Sequence, residues 1–184
     1  MINPESAAAS HFLSIHVMVE AKRLGEGKPL KARLREAPSL MLSSGLAGLL
    51  SFYASKSDRR LLEILHDYFK NAINHRSRDD AEKAVEGLLQ RLRQERGEKL
   101  AEALKDELSA EGGGYTIALA LITSYLDAQG LLAPGGEGVL PRLAATVKTL
   151  VESLPHSAEA EALLAPYLLE LKRLVDALVR EEQP

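Results

Sequence analysis

Apolar residues recur every three or four positions along most of the chain, and few segments alternate with the period of two that is typical of a strand. This pattern predicts an all-α protein. The predicted helices cover about 5–24, a segment after Pro38, 58–74, a segment after Ser77, 115–129, 139–154 and a segment after Ser157. These segments predict a bundle of six or seven helices. Gly97 marks a break between the fourth segment and its continuation.

Segments rich in glycine, proline or charge separate these helices. The chain of 184 residues has the length of one average domain. We therefore predict a single compact helical domain over residues 1–184, with flexible connectors near 25–37, 111–114 and 133–138. The helix over 115–129 is apolar almost all round, which is typical of a helix buried at the centre of a bundle.

The predicted second helix carries an apolar stripe and two internal glycines. The stripe consists of Leu42, Leu46, Leu49, Leu50 and Tyr53. A glycine inside a helix costs about 1 kcal/mol relative to alanine, so Gly45 and Gly48 each need a structural reason. We expect that both allow a neighbouring helix to approach closely. The two aromatic residues of this helix, Phe52 and Tyr53, are expected in the core rather than stacked on nucleic-acid bases.

Residue composition excludes several kinds of site. The chain has no Cys, which excludes disulfides, zinc–thiolate centres and cysteine nucleophiles. The first residues lack the basic and apolar pattern of a leader peptide. We therefore expect a cytoplasmic protein without a membrane partner.

Local motifs for chemistry are also missing. The Gly-rich stretch at 112–116 lacks the lysine of a phosphate-binding loop, and no His-Glu-x-x-His motif occurs. Ser43 and Ser44 follow no strand, so they do not form a nucleophile elbow. The sequence therefore predicts no catalytic residue, no metal site and no cofactor, and hence a protein that is not an enzyme.

Charge is unevenly distributed along the chain. Residues 1–60 contain nine Lys and Arg against five Asp and Glu, whereas residues 61–184 contain 14 against 21. Phosphate backbones favour such basic clusters through counterion release. The alternative is a solvated, charged surface loop. The candidate RNA-binding residues are Lys22, Arg23, Lys31, Arg33, Arg35, Lys56, Arg59 and Arg60.

The segment APSLMLSSGLAGLLSFYASK, residues 37–56, resembles a known family. It is similar to the small helical Cmr subunit, the fifth Cmr protein, of type III-B CRISPR effector complexes. The residues that match the motif are Pro38, Gly45, Leu46, Phe52 and Lys56. Looser similarity covers LLEILHDYF at 61–69 and PYLLELKRLVDAL at 166–178. The last helix of that family commonly carries a Trp, and this chain has none.

The resemblance implies a non-catalytic structural subunit of an RNA-guided antiviral complex. Several copies of that subunit stack along a filament and help to line the channel that holds the guide and target RNA. The implied partners are the other subunits of the complex, further copies of this chain, and guide or target RNA. A helical adaptor or regulator that binds only protein partners, through an apolar or acidic face, is the alternative from another functional class.

Overall fold

The structure is a computed structural model and describes residues 1–96 and 98–181. In this part of the chain there are eight α-helices, one π-helical turn and no strands, which confirms the all-α class and corrects the predicted number of six or seven helices. The helices are α1 (Pro4–His16), α2 (Lys28–Lys56), α3 (Arg59–Ala72), α4 (Arg78–Arg96), α5 (Glu98–Ser109), α6 (Tyr115–Ala128), α7 (Val139–Glu152) and α8 (Leu154–Glu181). The π-helical turn, Val17–Ala21, follows α1 directly. Gly97, the predicted break between α4 and α5, lies outside the described residues.

Helix α6 is the centre of the bundle, as its sequence predicts. Every residue from Thr116 to Leu126 is buried. α6 packs mainly against α3 and α2, while α8 covers α1 and α2 from another side. Because burial of apolar surface is the main force that drives folding, this helix makes a large contribution to the stability of the core.

The predicted connector at 25–37 is wrong over most of its length, because α2 already begins at Lys28. Pro29 lies in the first turn, where its missing N–H has no helical partner. Leu30, Leu34 and Ala37 are buried at helical spacing among the charged residues. Pro38 is therefore inside α2 rather than before its start. The many charges of this segment hide the helical period from a sequence reading.

The other two predicted connectors do separate helices, at Ala110–Gly114 and at 129–138. The first of them is tightly packed. A Cβ atom on Gly114 would lie 2.7 Å from backbone atoms of Pro29 and Leu30, so only glycine lets α6 begin this close to α2. At the end of the chain the predicted helix start at Ser157 is wrong, because α8 begins at Leu154 and contains Ser157 and Pro166.

Gly45 forms an elbow in α2. Its backbone angles, φ 71° and ψ 171°, are not helical and lie in a region that is essentially restricted to glycine. The elbow divides α2 into a first arm (28–44) and a second arm (46–56). The arms fold back on each other, and the Tyr53 hydroxyl in the second arm donates a 2.7 Å hydrogen bond to the Arg33 carbonyl in the first.

The structure does not support the expectation that Gly45 and Gly48 allow a neighbouring helix to approach closely. The nearest atom to a Cβ on Gly45 would be a carboxylate oxygen of Glu161, at 3.3 Å, and not the backbone of a packed helix. That carboxylate accepts a 2.9 Å hydrogen bond from the Leu46 N–H, the first donor of the second arm. A Cβ on Gly48 would meet Ser44 of the same helix. Backbone conformation, and not close helix approach, therefore explains Gly45.

Two residues of the predicted apolar stripe and core are exposed. Leu42 is 86% exposed because it lies just before the elbow, where the helix turns away from the core. Phe52 is 42% exposed, whereas Leu46 and the neighbouring Tyr53 are fully buried. The prediction that Phe52 lies in the core is therefore wrong.

Among the described residues one helix, α2, is long and apolar enough to cross a membrane by length and composition alone. The mean hydropathy of its most apolar window is 1.2, and 39% of that window is buried within the protein. A straight membrane-spanning helix needs about 20 apolar residues. The elbow leaves two arms that are each shorter than this, so α2 has the form of a bent core helix.

Candidate nucleic-acid interface

The link between α2 and α3 is a short, rigid corner, which we define as residues 56–60 and call the α2–α3 corner. The Asp58 carboxylate caps α3 by accepting hydrogen bonds from the N–H groups of Arg60 and Leu61, at 3.0 and 2.8 Å. The Asp58 N–H donates to the Thr116 hydroxyl at 3.0 Å. These bonds fix the corner to both α3 and the start of α6.

The half-buried carboxylate of Glu107 supports the corner through Thr116. Glu107 accepts hydrogen bonds from the hydroxyl and the N–H of Thr116, at 2.6 and 3.1 Å. Burial raises the pKa of Glu107, and the hydrogen bonds from Thr116 oppose this rise. The sequence of contacts from Glu107 through Thr116 to Asp58 therefore ties α5, α6 and the corner together.

Three cations of the corner have no carboxylate partner. Lys56, Arg59 and Arg60 are exposed, and none of them forms an ion pair in the described part of the chain. Lys56 lies in the last turn of α2, where the helix dipole favours a positive charge. Arg59 and Arg60 lie in the first turn of α3, where the dipole disfavours one. Folding alone therefore gives no reason for these two arginines.

An aromatic cluster borders the corner. The Tyr115 ring lies edge-to-face against Phe52 and Tyr53, with centroid distances of 5.7 and 5.3 Å. The Arg33 guanidinium lies 4.5 Å from the centre of the Tyr115 ring. The folded α2 thus brings a cation of its first arm and an exposed aromatic ring of its second arm to the same end of the bundle.

The remaining predicted RNA-binding residues do not belong to the corner. Lys22 forms a 2.5 Å ion pair with Glu86 of α4, and Arg35 forms a 2.8 Å ion pair with Asp176 of α8. Lys31 is buried. Arg23 is exposed, and its φ of 50° ends the π-helical turn. Arg33 forms a 2.6 Å ion pair with Glu36 of the same helix and lies beside Tyr115. Of the eight residues, the corner thus contains three, namely Lys56, Arg59 and Arg60.

A second charged cluster lies at the far end of α3, around the Asp127 carboxylate, whose side chain is 8% exposed. Asp127 of α6 accepts two hydrogen bonds from the Arg142 guanidinium, a 2.7 Å hydrogen bond from Lys70 and a 3.2 Å contact from His66. Burial raises the pKa of Asp127, but these hydrogen bonds outweigh it and hold the pKa well below its usual range. Every charge in this cluster has a partner, so its arrangement is that of a structural anchor.

His11 is fully buried and joins α1 to the core. Its Nε2 lies 2.8 Å from the Phe69 carbonyl, which can only accept, so this nitrogen carries the proton. Its Nδ1 therefore accepts from the Tyr167 hydroxyl at 2.6 Å. Burial lowers the pKa of His11 to about 4, which keeps the ring neutral.

A pocket that is partly open to solvent lies away from the corner, between α1, the π-helical turn and the first arm of α2. It has a volume of about 300 Å³, the lower end of the range for small-molecule sites. Phe12, Val19 and Leu34 form part of its apolar wall. The charged groups at its rim pair locally, His16 with Glu20 at 3.1 Å and Lys28 with Glu26 at 2.7 Å. Among the described residues no group of three or more His, Cys, Asp or Glu side chains could hold a metal ion.

The sequence reading missed the residues that position the corner. Glu107 and Thr116 hold the corner through the contact of Thr116 with Asp58, which lies 58 positions away, so no local motif marks them. Asp127, at the far end of α3, was missed for the same reason, because its partner His66 lies 61 positions away. The exposure of Phe52 could have been predicted, because this residue lies outside the apolar stripe formed by Leu46, Leu49, Leu50 and Tyr53. Comparison with known proteins found no matching family model, no matching curated protein and no matching solved structure.

Proposed function

We propose that this protein is a non-catalytic structural subunit of a type III-B CRISPR RNA-guided effector complex, and that its α2–α3 corner contacts the RNA backbone. Two independent features support the proposal. The segment 37–56 resembles the small Cmr subunit, and that segment ends at the corner. The same corner carries Lys56, Arg59 and Arg60, which have no carboxylate partner among the residues that the structure describes.

The observation that carries the proposal is the position of Arg59 and Arg60. Cations in the first turn of a helix oppose its dipole by about 0.3–1 kcal/mol each. Here they also remain exposed and outside any ion pair in the described residues. A phosphate bound at this corner would gain from both arginines, from Lys56 and from the positive end of α3. Binding of an anionic backbone therefore gives these residues a role that folding does not.

A purification from native cells tests this proposal. Tagged wild-type protein should copurify with several other proteins and with short RNA of defined length. The variant with Lys56→Ala, Arg59→Ala and Arg60→Ala should retain the protein partners and recover less RNA, because its folded core is unchanged. Wild-type protein that recovers its partners without RNA would overturn the proposal.

The adaptor that binds only proteins is the second candidate, and exposed apolar surface favours it. Val151 and Leu154, where α7 meets α8, are 69% and 82% exposed. A shallow apolar groove of about 310 Å³ runs nearby between α7 and the second arm of α2, past Leu140 and Val147. Recovery of partner proteins that depends on Val147 and Val151 but not on the corner cations would favour this function.

A further inference from the structure

Phe52 presents an aromatic ring to solvent near the cations of the α2–α3 corner, which form no ion pair within the described part of the chain. The residue is 42% exposed. It lies one residue before the fully buried Tyr53, so its direction is set by the helix and not by a lack of order. An exposed aromatic ring beside cations is a feature that a purely structural helix does not require.

Neighbouring rings hold Phe52 in one orientation. The Tyr115 ring meets it edge-to-face at 5.7 Å with an interplanar angle of 85°, and the Tyr53 ring lies at 6.1 Å. Tyr53 is itself fixed by its hydrogen bond to the Arg33 carbonyl. The ring of Phe52 is thus a supported platform, and its binding of a planar ligand would not require the protein to reorganise.

Lys56 lies one helical turn after Phe52. Residues four positions apart share a face of a helix, and one turn advances by about 5.4 Å. The first turn of α3, with Arg59 and Arg60, follows directly after the corner. A ligand that combines a planar group with phosphates would therefore meet the ring first and the three cations next.

We propose that Phe52 stacks on an unpaired base of single-stranded RNA while Lys56, Arg59 and Arg60 bind the phosphates that follow that base. The inference rests on the proposed function and specifies the form of RNA that this site takes. Aromatic rings next to cations are the usual arrangement for binding single strands, because every base has a face that can stack. In a duplex the bases already stack on each other, so their faces cannot reach the ring. The corner therefore favours an unpaired segment of RNA over a duplex.

The absence of Trp from the chain allows a direct optical test. Phe52→Trp introduces a single Trp at the platform, and Leu42→Trp introduces one at an exposed position beside the elbow. Titration with a single-stranded RNA of about 10 nucleotides should quench the emission of the first variant and leave that of the second unchanged. The matching duplex should quench neither.

Binding measurements complete the test. Phe52→Ala should weaken binding of the single strand by about 5-fold or more, and Phe52→Tyr should restore it. The salt dependence of binding should stay the same for both variants, since they remove no charge. Equal binding of strand and duplex, or no effect of Phe52→Ala, would overturn the inference.

The same data separate this inference from the proposed function. If the cation variants lose RNA affinity while Phe52→Ala keeps it, the corner binds RNA without stacking, and only the inference fails. If wild-type protein, alone and in its purified complex, binds neither strand nor duplex, the proposed function fails as well. Melting curves of Phe52→Ala and Phe52→Tyr show whether either substitution disturbs the fold.

Discussion

The two ends of the α3–α6 helix pair differ in whether their cations have a carboxylate partner. At the far end, His66, Lys70 and Arg142 converge on the single carboxylate of Asp127. At the near end, Lys56, Arg59 and Arg60 have no carboxylate partner in the described residues, and the one acidic side chain among them, Asp58, caps α3. The far end is a closed network, whereas the near end offers positive charge to an external ligand.

The difference shows how to separate structural charges from functional ones. A buried charge without a partner costs several kcal/mol, so the Asp127 carboxylate, whose side chain is 8% exposed, must be matched by cations. An exposed cation is hydrated by water, so it loses little free energy of folding when it has no carboxylate partner. Such a cation remains available to bind an external anion. Two of the predicted RNA-binding residues outside the corner, Lys22 and Arg35, support this view, since each forms an ion pair with a different helix of the same chain.

The largest effect is expected at the anchor. Asp127→Ala leaves the charges of Lys70 and Arg142 without their carboxylate and removes a hydrogen-bond partner of His66. It should lower the free energy of unfolding by roughly 3 kcal/mol, the lower end of the range for a broken buried pair. Asp67→Ala is the matched control, because Asp67 is exposed and lies 3.8 Å from Arg91. Urea denaturation measures both. An Asp127→Ala variant as stable as Asp67→Ala would show that the anchor is not structural.

Acid should destabilise the core and leave the charge of the corner arginines unchanged. Low pH protonates the buried histidines, whereas the arginines are already protonated. Burial lowers the pKa of His11 from 6.5 to about 4. Between these values the unfolded chain binds more protons than the folded one, so stability should fall as the pH falls from 6.5 to about 4. The loss from His11 alone is about 3 kcal/mol. His66, whose pKa burial also lowers, adds a loss in the same direction.

Thermal melts across this pH range test the assignment. His11→Gln should be less stable at neutral pH and should lose less stability on acidification than the wild type. His156→Gln changes an exposed residue and should follow the wild-type curve. The same pH dependence in the wild type and in His11→Gln would contradict the role given to His11.

The elbow at Gly45 connects the two regions because it directs the second arm towards the corner. Gly45→Ala should cost roughly 1–3 kcal/mol, since the φ of 71° with a ψ of 171° disfavours any side chain. Gly87→Ala is the matched control, because a Cβ there meets no atom within 4 Å, and alanine should stabilise α4. Gly45→Leu should also destabilise the protein, because leucine disfavours the backbone angles of the elbow and not because it would clash with a neighbouring helix. Opposite melting shifts for the two alanine variants are expected, and a tolerated Gly45→Ala would contradict the elbow.

The smallest effect on stability is expected at the corner itself. Replacing Arg59 and Arg60 with Gln should leave stability unchanged or raise it by up to about 1 kcal/mol, because it removes cations from the positive end of a helix. Arg33→Gln should instead lower stability by about 1 kcal/mol, since it loses the contact with the Tyr115 ring. Melting at low salt compares the two. A marked loss of stability in the Arg59 and Arg60 variant would assign these residues to folding.

Sequence reasoning predicted the helices better than their arrangement. The period of apolar residues was sufficient for the all-α class and for the buried α6. It failed at 25–37, where charged residues conceal a helix, and at Pro38, which α2 accommodates. The elbow at Gly45 depends on Glu161, a residue more than a hundred positions away, and no local pattern contains that contact.

The basic residues of the candidate site could be predicted from the sequence, but the absence of partners for them in the described part of the chain could not. Basic residues at 56–60 are visible in the sequence, but their lack of partners depends on the whole fold. Lys22 and Arg35 look equivalent to them until Glu86 and Asp176 are brought alongside. Exposure of Phe52 follows from the direction of one helix face, which the stripe around Tyr53 already indicates.

The salt dependence of RNA binding tests the central claim most directly. Affinity of the purified protein, or of its complex, for a short single-stranded RNA is measured from about 50 to about 200 mM KCl. Three proteins are compared: the wild type, the variant with alanine at Lys56, Arg59 and Arg60, and a control with alanine at Arg76, Lys83 and Lys99. The control removes the same charge from exposed positions outside the corner. The corner variant should lose about 0.7 per phosphate contact, or about 2 in all, from the log–log salt slope, and the control should keep the wild-type slope. Equal slopes for the wild type and the corner variant would show that RNA does not bind at this corner.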